Sequence, residues 1–292
     1  MTTPWLVSFH GGHSGAFCNH AHGTLEEIVQ SAISQGFAAL GVSEHMPRFR
    51  DQDLAEDEIE AGLTPNDLVA MFENYSVEFD RIQARYGHQI PLLKGMECEV
   101  VPPQRYAEEV AFLRDRHHLD YLVGSVHYVR EVLIDMNEAS WQQAADTCGS
   151  VLRLVEDYFD TVVTMIETLR PEVVGHLDLI KIFAPEPLES PTFRRGVERS
   201  LEAARAVGSV IEVNGRALKK GLSEPYPGRN ILESARAIGV EVTLGDDSHG
   251  PDEVGGHLRQ CRQTLIASGH DRLTLLRRTE KGGVDRTPIP LA

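Results

Sequence analysis

Nine side chains of metal-ligand type stand just past short apolar runs: His10, His13, His20, His45, Glu97, His127, His176, Asp247 and His249. Neutral imidazole suits zinc, iron, manganese and related divalent ions, and ionised carboxylates complete such sites. One catalytic ion takes about three or four protein ligands. Nine donors are too many for one ion and suit two or three, with a carboxylate bridging. Such centres hydrolyse phosphate esters, because the ions lower the pKa of a bound water and hold the phosphate oxygens during in-line attack. A single histidine is more often exposed or satisfied in a core. The spacing is no zinc-finger pattern either, since no cysteine pair accompanies it. What singles these residues out is one placement, repeated.

That placement implies the elements behind it. Apolar runs at 5–9, 38–42, 90–94, 119–123, 171–174, 209–213 and 240–244 lead into His10, Ser43-Glu44-His45, Gly95-Met96-Glu97, Gly124-Ser125-Val126-His127, Gly175-His176, Asn214 and Gly245-Asp246-Asp247-Ser248-His249. Between the first two runs, Thr24 with Glu27 reads as a capping box opening a helix with Leu25, Ile28, Val29, Ala32 and Ile33 on one face, stopped by Gly36. Thr64-Pro65-Asn66-Asp67 opens another, with Leu68, Met71, Phe72, Tyr75, Phe79 and Ile82 periodic. Further helical patterns cover 151–168, 192–207 and 230–238. Seven strands, mostly separated by helices, predict a parallel α/β arrangement. Ligand-type residues at the C-terminal strand ends occupy the place where an α/β barrel builds its active site.

The 292 residues read as one domain spanning 1–292, with no repeat, low-complexity tract or linker. Lys plus Arg number 28 against 44 Asp plus Glu, a formal charge of −16, which argues against a nucleic-acid surface. No apolar run approaches a membrane span, and Met-Thr-Thr-Pro-Trp does not open a secretory leader. Four scattered cysteines (Cys18, Cys98, Cys148, Cys261) point to reduced thiols in a cytoplasmic protein. The acidic stretch 48–62 reads mainly as a solvated loop, placed where it can also cover a site. The end after Gly282, with Pro288 and Pro290, reads as loosely held. No nucleophile elbow, Walker loop or dinucleotide glycine pattern offers competing chemistry.

In order and placement, His13-Ser14-Gly15, Cys18-Asn19-His20-Ala21, Ser43-Glu44-His45-Met46-Pro47, Gly95-Met96-Glu97, Gly124-Ser125-Val126-His127, Gly175-His176-Leu177-Asp178, Glu212-Val213-Asn214 and Gly245-Asp246-Asp247-Ser248-His249 resemble the PHP (polymerase and histidinol phosphatase) superfamily, in its histidinol-phosphatase branch. The resemblance implies a distorted (β/α)7 TIM-like barrel with two or three divalent ions (Zn, Fe or Mn) at the C-terminal mouth. It implies one ion on His10, His13, Glu97 and Asp247, a second on Glu97, His127 and His176, and a third on His20, His45 and His249. The attacking water would be metal-bound, held by Glu97 and Asp247.

Two positions depart from the pattern or compete. The family's first motif is His-x-His, whereas Gly11 and Gly12 separate His10 from His13, so a glycine bulge must deliver His10. His22 rivals His20, which stands in the Cys-x-His position. Arg216, Lys219, Lys220 and Lys181 are candidates for the substrate phosphate, each otherwise a surface charge. Glu44 is a candidate for orienting a ligand. His88, His117, His118, His257 and His270 read as structural or exposed. The expected activity is hydrolysis of L-histidinol phosphate, a step of histidine synthesis. The alternatives are another small phosphomonoester or nucleotide as substrate, or a non-catalytic metal-binding scaffold.

Overall fold

Local sequence signals set the first elements. Thr24 and Glu27 exchange side-chain and backbone hydrogen bonds as a capping box and start helix α1 (Leu25–Gln35), which buries Leu25, Ile28, Val29 and Ala32 and stops at Gly36 in the left-handed region. Strand β1 (Val7–Ser8), shorter than the apolar run around it, precedes α1, and β2 (Ala39–His45) follows it. Thr64 caps α3 (Pro65–Tyr86), whose buried stripe is Leu68, Phe72, Tyr75, Phe79 and Ile82. The computed structural model describes residues 5–184, 190–280 and 282–291. Met1 to Pro4, on which the expectation of no secretory leader partly rests, lie outside them.

Between β2 and α3 runs the acidic stretch, which contains α2 (Glu56–Glu60). It is only partly the solvated loop expected from its charges. Asp53 and Glu58 are buried, Asp53 held by Arg50 at 2.6 Å and Glu58 facing the buried Arg48 at 3.6 Å. Charges with partners of opposite sign can leave water, and these do.

Strands and helices then alternate: β3 (Leu92–Cys98), α4 (Tyr106–His117), β4 (Tyr121–Gly124), a small hairpin of β5 (Tyr128–Val129) and β6 (Val132–Leu133), α5 (Glu138–Cys148), α6 (Val151–Leu169), β7 (Val173–Val174), α7 (Pro191–Val207), β8 (Val210–Asn214), α8 (Arg216–Lys219), α9 (Arg229–Ile238), β9 (Val242–Gly245) and α10 (Leu258–Ala267). One seven-stranded sheet runs β1-β2-β3-β4-β7-β8-β9, every pair parallel. Phe9 N donates to Leu244 O at 3.0 Å, and Asp247 N to His10 O at 2.9 Å, so the last strand meets the first. The sheet is a nearly closed seven-stranded α/β barrel, and its C-terminal strand ends share one mouth.

The barrel is filled from within. Tyr121 lies across two neighbouring strands at their glycines. A Cβ at Gly95 would fall 2.4 Å from the Tyr121 ring, and one at Gly41 2.3 Å from its hydroxyl. Among the described residues no helix is long and apolar enough to cross a membrane.

The C-terminal end corrects the expectation of a loose tail. Strand β10 (Arg272–Arg278) pairs antiparallel with β11 (Val284–Pro290), in register from Arg272 opposite Pro290 to Arg278 opposite Val284. Ile289 and Leu291 are buried in the same core as the barrel strands. Pro288 and Pro290 sit in a two-stranded ribbon, whose outer edge does not require their missing N–H groups. Replacing Ile289 with Ala is expected to cost about 2–5 kcal/mol of stability, the cost of emptying a core position. Urea denaturation measures it. An unchanged midpoint would return this end of the chain to a loosely held tail.

Candidate metal centre

The strand order carries the nine candidates to one point. β1 leads into His10 and His13, β2 ends on His45, β3 carries Glu97, and the exits of β4, β7 and β9 supply His127, His176, Asp247 and His249. Glu97 lies in the middle, 1% exposed. Its Oε1 is 3.0 Å from His10 Nε2, 3.1 Å from His176 Nε2 and 3.5 Å from His127 Nε2. Its Oε2 is 3.0 Å from His45 Nδ1 and 3.9 Å from His13 Nε2. Asp247 Oδ1 stands 3.8 Å from His13 Nε2 and 3.6 Å from His249 Nδ1. His20 joins from the loop after β1, its ring centre 4.8 Å from that of His249 and 5.4 Å from that of His45. His22 is turned away and pairs with exposed Asp252.

The glycine pair before His13 explains how His10 arrives. Gly11 has φ 125° and Gly12 φ 78°, and a Cβ on Gly11 would fall 2.6 Å from both Asp246 Oδ1 and Ser248 N. A side chain there is excluded by strain and by space, so the bulge depends on glycine.

Four of the ligand-type rings are held by carboxylates from behind. Glu212, fully buried, places both oxygens 2.9 Å from His10 Nδ1 and also accepts from His176 N at 2.7 Å and Asn214 Nδ2 at 2.8 Å. Glu99 meets His127 Nδ1 at 2.9 Å, and Asp57 of α2 meets His20 Nδ1 at 3.1 Å. Glu44, the one such residue singled out in the sequence, stands 3.3 Å from His13 Nδ1 and accepts from Ser14 N at 2.9 Å. Carboxylate on one nitrogen leaves the other for an ion. Glu212 was legible in principle. It alternates with Asn214 along β8 and so faces the same side of a buried strand. Asp57 was not, because only the fold brings it to His20.

The electrostatics are those of a site built around cations. Burial would push the carboxyl of Glu97 up, but His10 and His127 hold it well below the usual range. Asp247 is likewise depressed against burial by His10 and His249. Burial lowers His10, yet Glu212, Glu97 and Asp247 outweigh it and raise the imidazole well above its ordinary value. His127 is raised to about 10 against burial, by Glu99, Asp135 and Glu97. Burial and His13 hold His45 and His249 well below it, in the neutral form that binds ions. Ionised carboxylates at this depth require positive charge beside them.

Divalent ions fit that requirement. His13 Nε2, His45 Nε2 and His176 Nδ1 are buried without a hydrogen-bond partner among the described residues, and His10 Nε2 and His45 Nδ1 face the carboxylate of Glu97. Donor atoms gather within 4.8 Å in overlapping sets: His10, Glu97 and His176; His10, His13 and Asp247; His13, His45 and Glu97; and Cys18, His20, His45 and His249. The donor set is nitrogen- and oxygen-rich, with one sulfur at its outer end.

A cavity of about 520 Å³ opens over the cluster. Its walls include Arg216 and Lys220 among the cationic candidates, with Arg48, Asp135 and Tyr226, none of which sequence reasoning assigned to the site. Lys181 and Lys219 are not brought to it. Lys181 pairs with Asp178 at 2.7 Å and lines a separate cleft of about 1100 Å³, and Lys219 is held outward by Glu253. That cleft is larger, but it gathers no ligand cluster among the described residues. Of the remaining histidines, His88 and His118 are exposed, His117 packs on Phe72, His270 meets Ser268, and His257 is half-buried.

Comparison with known proteins now bears on the site. The family model described as PHP domain matches residues 11–216. A Schizosaccharomyces pombe protein named probable histidinol-phosphatase is 38% identical, covering 94% of this chain and 90% of its own. The histidinol-phosphatase of Saccharomyces cerevisiae is 26% identical, covering 84% of each. Histidinol phosphate phosphatase from Lactococcus lactis, solved with zinc, L-histidinol and phosphate, superimposes with a TM-score of 0.72 at 18% identity. That match covers 97% of this chain and all of the other, and shows a shared fold.

Glu212 carries the most testable load outside the ligand-type residues. Glu212→Gln keeps its shape and removes the charge behind His10, and is expected to weaken metal retention by about 10–100-fold. Competition with a chelator, followed by elemental analysis, measures this. Unchanged retention would reduce Glu212 to a strand-packing role.

Proposed function

This chain belongs to the PHP domain family, and from that premise we propose that it is a phosphoric monoester hydrolase converting L-histidinol phosphate and water into L-histidinol and phosphate, a step of histidine synthesis. The observation that carries the reading is the convergence of five imidazoles on Glu97 at the barrel mouth, beneath a cavity sized for a small phosphomonoester. We assign three divalent ions. His10, His13, Glu97 and Asp247 would hold the first; Glu97, His127 and His176 the second; His20, His45 and His249 the third. Zinc, iron and manganese all suit these donors. When bound, such ions supply a nucleophilic water at neutral pH and neutralise phosphate charge.

The remaining work falls to the chain's own groups. Arg216 lies on the cavity wall with its guanidinium fixed between Asp247 O at 3.2 Å and Glu253 at 2.9 Å, and Lys220 reaches the same wall with Asp135 3.7 Å away. These two cations bind the phosphate. Tyr226, whose buried hydroxyl has no partner among the described residues, donates to a phosphate oxygen. Glu56, Asp57 and Glu60 of α2 line the same cavity and give it acidic groups that suit the ammonium and imidazole of histidinol. The four buried free cysteines suit the reducing cytoplasm, where we place the enzyme.

Phosphate release from L-histidinol phosphate, against a panel of neutral and nucleotide monoesters, tests the substrate. A kcat/KM highest for a nucleotide would move the enzyme to another branch, and no release from any ester would leave a metal-binding scaffold. Lys220→Ala is expected to raise KM about tenfold or more while metal content stays at the wild-type level. Wild-type kinetics would remove Lys220 from the phosphate site. Glu97→Gln is expected to lose at least one ion and several orders of magnitude in kcat, with the fold retained because the barrel core is untouched. If Glu99→Gln does this instead, the bridging carboxylate is Glu99.

A further inference from the structure

The outer donor set contains a residue with no role so far. Cys18 is 4% exposed, and its Sγ lies 3.4 Å from His20 Nε2. Donor atoms of Cys18, His20, His45 and His249 all fall within 4.8 Å of one another. We propose that Cys18 is a protein ligand of the outermost ion, its sulfur joining the three imidazoles. The proposal rests on the metal centre argued above and extends it to a residue outside the nine.

The geometry is built by a tight turn. Cys18 N donates to Ser14 O at 2.9 Å and Ala21 N to Cys18 O at 3.2 Å, so the chain doubles back between Cys18 and His20 and points both donors to one place. Each neighbouring ring presents its other face to that place. His20 Nδ1 is taken by Asp57 and His249 Nδ1 by the Asp247 carbonyl at 3.0 Å, which leaves both Nε2 atoms, while His45 turns Nδ1 to Glu97 Oε2 at 3.0 Å and keeps Nε2 without a hydrogen-bond partner among the described residues. The other cysteines, Cys98, Cys148 and Cys261, belong to no such set among the described residues.

Coordination replaces the S–H bond of Cys18 by a sulfur–metal bond, and the proton leaves to solvent. Three imidazoles and one thiolate fill a tetrahedron. The soft sulfur biases this position toward zinc over manganese, whereas the positions at Glu97 and Asp247 are oxygen-rich and accept harder ions. The three ions are therefore not equivalent. The outer one ties the loop of Cys18 and His20, and through Asp57 the acidic helix α2, to the barrel mouth.

X-ray absorption at the zinc edge of the zinc-loaded full-length protein reads the bond directly. The expected spectrum contains a sulfur shell at about 2.3 Å beside nitrogen and oxygen at about 2.0–2.1 Å. The sulfur shell should vanish in Cys18→Ser and persist in Cys261→Ser. Cobalt substitution should give a near-ultraviolet thiolate-to-metal band in wild type that Cys18→Ser lacks. Cys18→Ser should also lose one ion per chain to chelator at least roughly tenfold more readily, the minimum that loss of a supporting group costs. A wild-type protein carrying its full metal complement with no sulfur shell overturns the role of Cys18 and leaves the phosphatase centre standing. A folded wild-type protein that retains no metal overturns both.

Discussion

The metal centre depends on keeping the charge of Glu97 at almost complete burial. A bare carboxylate at such depth costs several kcal/mol even after relaxation, so cationic partners must sit beside it. Five imidazoles approach within 3.9 Å of its two oxygens, and Asp247 and Glu212 add further negative charge close by. The same carboxylates drive the imidazoles of His10 and His127 up, while burial and His13 hold those of His45 and His249 down. Divalent cations satisfy the same demand better, because one ion compensates two carboxylates and uses the lone pairs of the neutral rings. The metal centre is thus a consequence of where the barrel puts its carboxylates.

Precision comes from what stands behind the rings. Glu212, Glu99, Asp57 and Glu44 each hold the far nitrogen of a different imidazole, so that ring orientation is set before any ion arrives. The barrel supplies the rigidity. Glu97 on β3 and Glu212 on β8 belong to one parallel sheet, and the closure from Phe9 to Leu244 locks the first strand, with its His10–His13 bulge, against the last. Arg48 extends this inward order to the mouth. Buried between Glu99 at 3.7 Å and Glu58 at 3.6 Å, it connects the carboxylate behind His127 to helix α2.

The acidic balance of the chain acquires a local meaning in this light. A net charge of −16 bears on partners, and part of the acidic charge lines the cavity. The cavity walls carry both signs, Arg216 and Lys220 together with Glu56, Asp57, Glu60 and Asp135. Such a polarity suits a substrate that is anionic at one end and cationic at the other.

The sequence by itself determined the alternation of strands and helices, the barrel class and the set of ligand-type residues. Each of these is written in short-range pattern: apolar runs ending in His, Glu or Asp, capping boxes at Thr24 and Thr64, glycines at helix ends. The glycine pair at 11 and 12 also announced a bulge, since positive φ is a local property. Only the tertiary structure decided which charges share a space. Lys181 and Lys219 looked equivalent to Lys220 in spacing, yet Asp178 and Glu253 draw them elsewhere. Asp57, Glu58 and Arg48 read as a solvated stretch until folding supplied partners, and the β10–β11 ribbon read as a tail because its pairing has no short-range signature. The place of Cys18 beside the imidazole cluster was invisible for the same reason. Its meaning depends on two histidines 27 and 231 residues away in the chain, His45 and His249. Periodicity and capping are encoded within a few residues, whereas coordination and ion pairing are fixed by distances that only the closed barrel brings down to a few ångströms.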